Sequence, residues 1–376
     1  MIDNKKMVPL WQLKYTGAMN VSQQIKELYK MLSPIEQQGL LSELSFGNTN
    51  CQPKESIVTS CPYCYDVRFV KNGKYKGHHR YKCKSCNRNF SPHSGTAFQG
   101  IKKLDKFDQY KTIMFEEGFI SLDKMSKRVG ISIQTAFDWR HKILSTLKPE
   151  EFEFRGITEI DDVWFLYSQK GRKGLSFSRK RGGSSRKGDN DYQVKMLVTA
   201  DRTQAQDLSV VRIGRIKSSD INRKVGHRMG SECTLVSDKH RSISSFAKQN
   251  KIKHVSFKAT EHIADKEHHV QKVNNIASRL KAQTNHICRG VSTKYLQSYA
   301  NWFQFSETYK KQGDIVAQVD KALLTNHKSW DTFTNIEPLY KQFIKQQSRR
   351  TYRCPTKRHW KSQQKEAIKV EPLSYL

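Results

Sequence analysis

The amino-acid sequence predicts an α/β protein in which a mixed sheet with flanking helices follows a small cysteine-containing module and a helical module. Three patterns predict this order. Two CxxC pairs lie between 61 and 86, apolar residues at helical spacing occupy 104–147, and short apolar segments typical of strands begin at 157. With 376 residues and a hydrophobic content of 36%, the chain is long enough for two or three domains and a sizeable core.

The charge of the chain points to a polyanionic partner. Lys and Arg number 67 against 35 Asp and Glu, which gives a formal net charge of +32. Such an excess suits the neutralisation of phosphates with release of counterions. The sequence has no basic amphipathic helix or lipidation signal for a membrane surface, and no apolar run approaches the roughly 20 residues that span a bilayer. We therefore expect a soluble intracellular protein with no membrane partner.

The N-terminal segment, assigned to residues 1–56, is predicted to be helical. Residues 22–46 carry apolar positions at helical spacing and indicate two short amphipathic helices. Ser33 and Pro34 fit the N-cap and the first turn of the second helix. This segment is interpreted as a small accessory module.

The two cysteine pairs predict a zinc ribbon over residues 57–100. CPYC and CKSC are separated by 18 residues, and each knuckle can place two thiolates on one Zn²⁺. A disulfide framework is the alternative, but the other four cysteines show no pairing pattern. The four cysteines fill a tetrahedral shell, so His78 and His79 are expected to face solvent or phosphate. The expected zinc ligands are Cys61, Cys64, Cys83 and Cys86.

Residues 101–150 predict three helices, of which the last two have the layout of a helix-turn-helix. Gly130 permits the tight turn, Ile131 anchors it and Ser132 caps the second helix. An ordinary three-helix packing unit is the alternative. The neighbouring ribbon and the basic charge favour DNA contact through the second helix, with Gln134, Thr135, Arg140 and His141 as candidate residues.

From residue 157 onward the sequence pattern becomes typical of β-strands. Three successive segments, ITEIDDVWFLY, DYQVKMLVTADR and DLSVVRIGRI, predict an antiparallel start to a mixed sheet. TLVSD at 234–238, a helical segment and the strand KHVSF continue it as a βαβ unit, and a long helix is predicted over 265–286. This is the order of an RNase H-like domain, assigned to 151–305. The remaining residues, 306–376, are assigned to a helical and basic tail.

Two basic stretches are candidates for DNA contact. Residues 168–188 form a Gly/Ser-rich loop between the first two strands, with eight Lys or Arg and no acid, and residues 345–365 have the same count in the tail. A solvated flexible segment is the alternative for both. The loop emerges beside the candidate active site, so we expect it to hold DNA, with Arg179, Lys180 and Arg181 as candidate contacts.

The candidate catalytic residues are acids on strands and polar groups on the following helix. Asp161 lies within a strand, where a carboxylate is costly unless a cation pairs with it, and Asp238 ends TLVSD. The first and fourth strands of this sheet order are neighbours, so the two carboxylates can converge on two divalent ions roughly 4 Å apart. Asn274 is the candidate third ligand, and Lys281, about two turns later on the same face, can reach a DNA phosphate. Competing third ligands are Asp162, Glu159, Glu261, Asp265 and Glu267.

These motifs together resemble the ISXO-like family of bacterial insertion-sequence transposases, a branch of the DDE superfamily. The matching segments are CPYC, RYKCKSCNRNFSPHSGTAF, TAFDWRHKIL, EIDDVWF, LVSDKH, VNNIASRLK and GVSTKYLQSYANWF, which follow the family's order over residues 25–305. The resemblance implies a D-D-N-K site, with Asp161, Asp238 and Asn274 as metal ligands and Lys281 at the basic position. Two departures stand out. Asn replaces the usual Glu, which should weaken the second ion, and Asp162 replaces a common Glu, so either neighbouring carboxylate could point inward.

The resemblance also implies a reaction. Such a transposase binds the terminal inverted repeats of its own element, cleaves the 3′ ends by Mg²⁺-assisted hydrolysis and transfers them to target DNA. Its partner is double-stranded DNA, it acts as a homodimer or larger assembly, and it resides at the nucleoid in the bacterial cytoplasm. A non-catalytic zinc-ribbon and helix-turn-helix regulator is the alternative, although retention of all four site residues argues against it. A structure-selective nuclease would not need two sequence-reading modules.

Overall fold

The computed structural model separates into two compact units, residues 1–55 and residues 56–376. In the first unit Tyr29 and Lys30 are helical, and the rest of the two helices predicted over 22–46 lies almost entirely outside the described residues. None of the described helices is long and apolar enough to cross a membrane. The structure describes residues 29–33, 37, 58–75, 78–171, 193–258, 265–310, 313, 315–325 and 340–342.

The cysteine module is a three-stranded antiparallel sheet. Strands β1 (Phe69–Tyr75), β2 (His78–Cys83) and β3 (Asn89–Phe90) lie in the order β1-β2-β3. Its small core contains the rings of Phe69, Tyr81 and Phe90, with centroids 5.4 to 5.6 Å apart. A core of this size provides little burial free energy by itself.

Three helices follow in the predicted order, α1 (Leu104–Glu116), α2 (Leu122–Val129) and α3 (Ile133–Thr146). Gly130 ends α2 with φ of 64°, the left-handed conformation that glycine adopts at low cost. Ser121 and Ser132 cap α2 and α3, each by accepting a backbone N–H three residues later. The sharp turn therefore follows directly from the local sequence.

The second half is a five-stranded mixed sheet in the order β6-β5-β4-β7-β8, and it confirms the predicted RNase H-like fold class. Strands β4, β5 and β6 pair antiparallel with one another, whereas β7 runs parallel to β4 and β8 runs parallel to β7. A one-residue register shift interrupts the pairing of β5 with β6. The strands are β4 (Ile157–Leu166), β5 (Gln193–Asp201), β6 (Gln206–Ile213), β7 (Thr234–Asp238) and β8 (Lys253–Phe257).

Helices cover both faces of this sheet. Helices α4 (Ser218–Val225) and α5 (Arg241–Gln249) pack on one face, against a core that includes Ile160 and Leu235. Helix α6 (Gln271–Lys281) packs on the other face, against a core that includes Val163 and Val236. Both faces of the sheet are therefore buried.

Helix α6 is shorter than the helix predicted over 265–286. It begins at Gln271, because the Asp265 carboxylate accepts the backbone N–H groups of Glu267 and His268, each at 2.8 Å, and holds that segment in a turn. After Lys281 the chain continues as a π-helical segment, Ala282–Ile287. The predicted start was wrong by six residues, since Asp265 stabilises the competing turn.

Helix α7 (Leu296–Lys310) belongs to two cores at once. Leu296, Ala300 and Phe303 pack in the sheet core, whereas Tyr299 and Trp302 pack with α1 and α3. Helix α8 (Ile315–Thr325) joins the same helical core through its own apolar residues. Helix α7 also continues past residue 305, where the sequence suggested the end of the catalytic domain.

Candidate active site and zinc centre

The structure places Asp161 and Asp238 on neighbouring parallel strands. Glu159 of β4 is in register with Val236 of β7, and continuing this register by two residues sets Asp161 beside Asp238. Val163 and Val236 pack in the core beneath α6, so the alternation of a strand directs both aspartates to that face. Each of the two carboxylates is partly buried. The acids are thus adjacent despite their separation in the sequence.

The surroundings of Asp161 disfavour its charged form. Burial is the main cause that raises the pKa of Asp161 to about 7, and the nearby carboxylates of Asp162 and Asp238 add to it. A cation placed between the carboxylates would reverse this effect by stabilising the ionised forms. The site therefore has the electrostatic character of an acidic pair that suits a positive ion.

Asp162 lies on the opposite face and has a different partner. Its carboxylate accepts a hydrogen bond from Lys195 Nζ at 2.6 Å, and both side chains are buried. His240 Nε2 lies 3.8 Å from the other carboxylate oxygen. Of the two neighbouring aspartates, Asp161 is therefore the one that faces α6, and Asp162 is held in an ion pair.

Helix α6 carries Asn274 and Lys281 along one flank. Val273, Ile276 and Leu280 are buried against the sheet, whereas Asn274 is exposed and Lys281 is half-buried. A spacing of seven residues places the last two on the same flank, about two turns apart. Burial lowers the pKa of Lys281, and the charge of Asp161 opposes that shift.

Glu159 has a structural role that the sequence interpretation missed. Its fully buried carboxylate accepts the backbone N–H groups of Lys272 and Val273 at 2.7 and 3.1 Å, and so caps the beginning of α6. Arg202 Nη2 lies 3.0 Å and His269 Nδ1 lies 3.6 Å from its other oxygen. Glu159 therefore ties β4, two residues before Asp161, to the helix that carries Asn274. The signal in the sequence was its alternation with Asp161, which places it on the face covered by α6.

The other competitors for a third ligand are not gathered at this site. Asp265 accepts hydrogen bonds within its own turn, where the His268 imidazole lies 2.9 Å from the carboxylate. The Glu267 side chain is exposed in the same turn, and Glu261 lies outside the described residues. Among the described candidates, Asn274 is the one that shares a flank with Lys281.

The four cysteines converge as the knuckle spacing predicts. Cys61 Sγ lies 3.6 Å from Cys86 Sγ, Cys64 Sγ lies 3.5 Å from Cys83 Sγ, and all four sulfurs lie within 4.8 Å of one another. Tetrahedral zinc with Zn–S bonds of about 2.3 Å separates its sulfurs by about 3.8 Å, which fits this cluster. The backbone N–H of Cys86 lowers the pKa of the Cys83 thiol and so favours the thiolate that binds metal. The described cysteines are free thiols.

The candidate DNA-contact residues of α3 divide into two groups. Gln134 is exposed and Thr135 is half-buried near the beginning of the helix. Arg140 and His141 are each only 1% exposed, so the prediction that they contact DNA was wrong. Arg140 donates a hydrogen bond to the Ile120 carbonyl at 2.8 Å, and the His141 ring centroid lies 3.9 Å from that of Tyr295. Both side chains are part of the core that α7 completes.

The described part of the basic loop contacts the segment that follows α6. Arg179, Lys180 and Arg181 lie outside the described residues, as does the basic stretch 345–365. The described part of the loop ends at Gly171, where Lys170 Nζ donates hydrogen bonds to the carbonyls of residues 288 to 290. The beginning of the loop is therefore attached to the segment that follows α6.

Comparison with known proteins finds a family similar to the sheet domain. Residues 153–308 match the family model of the ISXO2-like transposase domain. This part of the chain is therefore similar to an ISXO2-like transposase domain. The match includes the five strands of the sheet, the three positions predicted as metal ligands and Lys281.

A curated protein from a transposable element is similar to this chain over most of its length. An uncharacterized protein in transposable element ISH50 of Halobacterium salinarum is 24% identical over 281 residues, which cover 73% of this chain and 94% of that protein.

Solved structures also resemble the chain at low similarity. A chain of the Mos1 strand transfer complex has 12% identity and a TM-score of 0.26, with 82% of this chain and 93% of that chain covered. A chain of the simian T-cell lymphotropic virus intasome in complex with PP2A regulatory subunit B56 gamma has 12% identity and a TM-score of 0.25. That alignment covers 52% of this chain and 64% of that chain, slightly less than two thirds of its length. The strand order β6-β5-β4-β7-β8 by itself defines the fold of the sheet domain.

Proposed function

We propose that this chain is the DNA transposase of an insertion sequence and that Asp161, Asp238 and Asn274 hold its catalytic metal. The observation that carries the proposal is the adjacency of Asp161 and Asp238 at the paired strands β4 and β7 of an ISXO2-like transposase domain. The similarity to a protein encoded in transposable element ISH50 supports the connection to a mobile element.

The donor set fits Mg²⁺. Two carboxylates and an amide oxygen are hard ligands of the kind that this ion prefers, and the raised pKa of Asp161 reports a negative pair that a cation would stabilise. The chemistry that a divalent cation supplies at such a site is activation of the attacking oxygen and neutralisation of charge on the phosphate. The amide of Asn274 contributes no charge, so we expect weaker binding of a second ion than three acids would give.

The residues around the acids have distinct roles in this proposal. Lys281 orients the scissile DNA strand by donating to a phosphate oxygen, a contact that its position on the flank beside Asp161 favours. Glu159 fixes α6 against β4 and so sets the position of Asn274. Asp162 stays paired with Lys195 and does not join the metal site.

Recognition of the DNA ends is assigned to the N-terminal modules. Zinc bound by the four cysteines holds the ribbon together, and Gln134 and Thr135 near the exposed beginning of α3 face the terminal inverted repeat. Arg179, Lys180 and Arg181 contact flanking or target DNA, in keeping with the net charge of +32. The protein cleaves the 3′ ends and joins them to target DNA as a dimer or larger assembly in the bacterial cytoplasm, at the nucleoid.

The test is cleavage and strand transfer by the full-length protein on duplexes that carry the element's terminal repeats, with Mg²⁺. Asp161→Asn should reduce cleavage more than about a hundredfold, because a metal ligand is lost. Binding to the repeat should stay within about twofold, because positioning contacts lie elsewhere. Calorimetric titration with Mn²⁺ without DNA should show weaker binding to the variant.

The matched control is Glu151→Gln, which alters an exposed carboxylate outside the site and should leave cleavage and Mn²⁺ binding unchanged. Cleavage by Asp161→Asn at the wild-type rate would refute the metal site. Tight repeat binding by a wild-type protein that never cleaves would instead favour the non-catalytic DNA-binding regulator.

A further inference from the structure

An exposed tryptophan lies beside the proposed metal site. Among the described residues of the transposase domain, Trp164 and Ile287 are the large apolar side chains with more than a third of their surface exposed, at 39% and 43%. Tryptophan carries the largest apolar surface of any side chain, and leaving it in water forgoes burial free energy. An exposed tryptophan at this position is therefore a candidate contact for a ligand.

Trp164 lies on the part of β4 that extends past the end of β7. Strand β4 pairs with β7 over Ile157–Glu159, and β7 ends at Asp238, which lies beside Asp161. Trp164 is three residues beyond Asp161, a distance of about 10 Å along the strand. Strand alternation places it on the same face as Asp162, opposite to the face of Asp161, so it borders the acids across the edge of β4 that β7 leaves unpaired.

The indole of Trp164 is in contact with the ammonium group of Lys281. Lys281 Nζ lies 5.0 Å from the centroid of the Trp164 ring, within the range of a cation–π contact. The same ammonium group lies within electrostatic range of Asp161. Lys281 thus connects the exposed indole on one face of β4 with the acidic pair on the other face, at the edge that β7 leaves unpaired.

This combination matches the chemistry of an unpaired nucleotide. A base that leaves the duplex exposes an apolar face that stacks on an aromatic side chain, while its phosphate pairs with a cation. A separation of about 10 Å corresponds to about three nucleotides of stacked DNA, at 3.4 Å for each. A base that stacks on Trp164 would therefore lie within about three nucleotides of a phosphate at the acids.

We propose that Trp164 stacks on an unpaired base of the DNA end next to the scissile phosphate and that Lys281 holds the phosphate of that nucleotide. The proposal rests on the proposed function and adds a substrate feature to it: the end must open locally before cleavage. Trp164 is then a substrate-positioning residue whose contact forms with the opened end.

The first experiment compares Trp164→Ala and Trp164→Phe on two DNA substrates in the full-length protein. One substrate is a fully paired terminal-repeat duplex, and the other has mismatches over the three base pairs that flank the cleavage site. On paired ends, Trp164→Ala should lower kcat about tenfold or more and change KM less than about twofold, because stacking is needed for opening rather than for repeat recognition. Trp164→Phe should keep most of the activity. The mismatched substrate should restore Trp164→Ala to within about threefold of wild type, because its end is already open.

The second experiment reads stacking without catalysis. A photoreactive 5-iodouracil placed at each of the three positions next to the cleavage site should cross-link to Trp164 in the Asp161→Asn background, and peptide mapping would identify the residue. Thermal unfolding checks that the Trp164 variants fold. Ile287→Ala is the matched control, since it removes another exposed apolar side chain, and it should leave the rates on both substrates unchanged.

Equal loss on paired and mismatched ends, or a wild-type kcat for Trp164→Ala, would overturn the stacking role. A cross-link that maps elsewhere would do the same. These results leave the proposed function intact as long as wild type cleaves and Asp161→Asn does not. Absence of cleavage by wild type on both substrates would refute the proposed function instead.

Discussion

The zinc ribbon and the acidic site both bring together side chains from distant parts of the chain, but they rest on very different cores. The buried cluster of the ribbon consists of Cys61, Cys83 and Phe90, so two of its three members are expected metal ligands. The acidic site lies on a sheet with apolar clusters on both faces. A zinc ion at the four cysteines would therefore contribute much of the stability of the ribbon, whereas the sheet has apolar cores of its own and should fold without a metal at its acids.

The largest effect should come from breaking the ribbon. Cys61→Ser removes one thiolate from a site whose zinc-binding free energy is of the order of 10 to 16 kcal/mol in small zinc modules. We expect loss of zinc, unfolding confined to the ribbon and loss of repeat binding. Metal analysis, limited proteolysis and a DNA-binding assay measure these changes.

The sheet domain should be unaffected by this loss, because it has apolar cores of its own. Its thermal transition should therefore stay in place in Cys61→Ser. Cys288→Ser is the control, because this partly buried cysteine lies outside the ribbon and its replacement should keep zinc and repeat binding. One zinc ion per chain in Cys61→Ser would contradict the role given to this ligand.

The stability of the sheet domain should instead depend on its buried polar contacts. Glu159→Ala leaves the N–H groups of Lys272 and Val273 uncapped and removes the partner of Arg202. Arg202 is 36% exposed and can be solvated, but a buried donor left without a partner costs about 1 to 3 kcal/mol, and we expect a loss of that order in the free energy of unfolding. Denaturant titration measures the loss, and cleavage should fall with it because α6 carries Asn274.

A matched surface variant shows whether the effect belongs to the cap. Glu267→Ala changes an exposed acid close to the same helix and should alter the free energy of unfolding by less than about 0.5 kcal/mol. Similar stability of the Glu159 and Glu267 variants would show that the cap contributes little.

The helical core should respond to pH through His141. Burial lowers the pKa of His141 to about 3, with further lowering from the charges of Arg140 and Lys294, so the imidazole is neutral in the folded protein. The unfolded chain binds a proton near pH 6.5, so stability is complete above that pH and is lost as the pH falls toward 3. At pH 5 the loss should be about 2 kcal/mol.

Denaturant titration at pH 7.5 and pH 5 measures this dependence. His141→Phe keeps an aromatic ring against Tyr295 and removes the titrating group, so the difference between the two pH values should shrink by about 2 kcal/mol. An unchanged pH dependence in this variant would exclude His141 as its source.

The smallest expected effect concerns the turn between α2 and α3. Ser132 Oγ accepts the backbone N–H of Thr135 at 3.0 Å, and Ser132→Ala should cost about 1 kcal/mol by removing this cap. Ser132→Asp preserves an acceptor and should restore most of the stability. A null effect of alanine in denaturant titration would mean that tertiary packing, rather than the cap, fixes the beginning of α3.

Local patterns predicted much of the fold. The two CxxC knuckles, the Gly130 turn and the alternating apolar strands each contain their own signal within a few residues. The sheet order followed from the sequence of elements, and it predicted the neighbouring positions of Asp161 and Asp238. These features depend on spacing that a single segment or a known connection order fixes.

The errors arose where distant segments cover a local pattern. Arg140 and His141 read as exposed residues of a recognition helix, but α7 returns from more than 150 positions later in the chain and buries them. The buried cap of Glu159 likewise depends on α6 docking against β4. Helical periodicity carries no information about such a partner, because it is the same for a face covered by water and a face covered by another helix.

The double membership of α7 has a mechanical consequence. Because one helix is packed into both the core of α1 to α3 and the sheet core, these two parts of the protein are held at a set spacing. If the protein is a transposase as proposed, this spacing fixes the distance along the DNA between the repeat that it binds and the point at which it cleaves. An insertion of about 5 bp, half a turn of B-DNA, would carry the cleavage point to the far side of the double helix, beyond the reach of the acids.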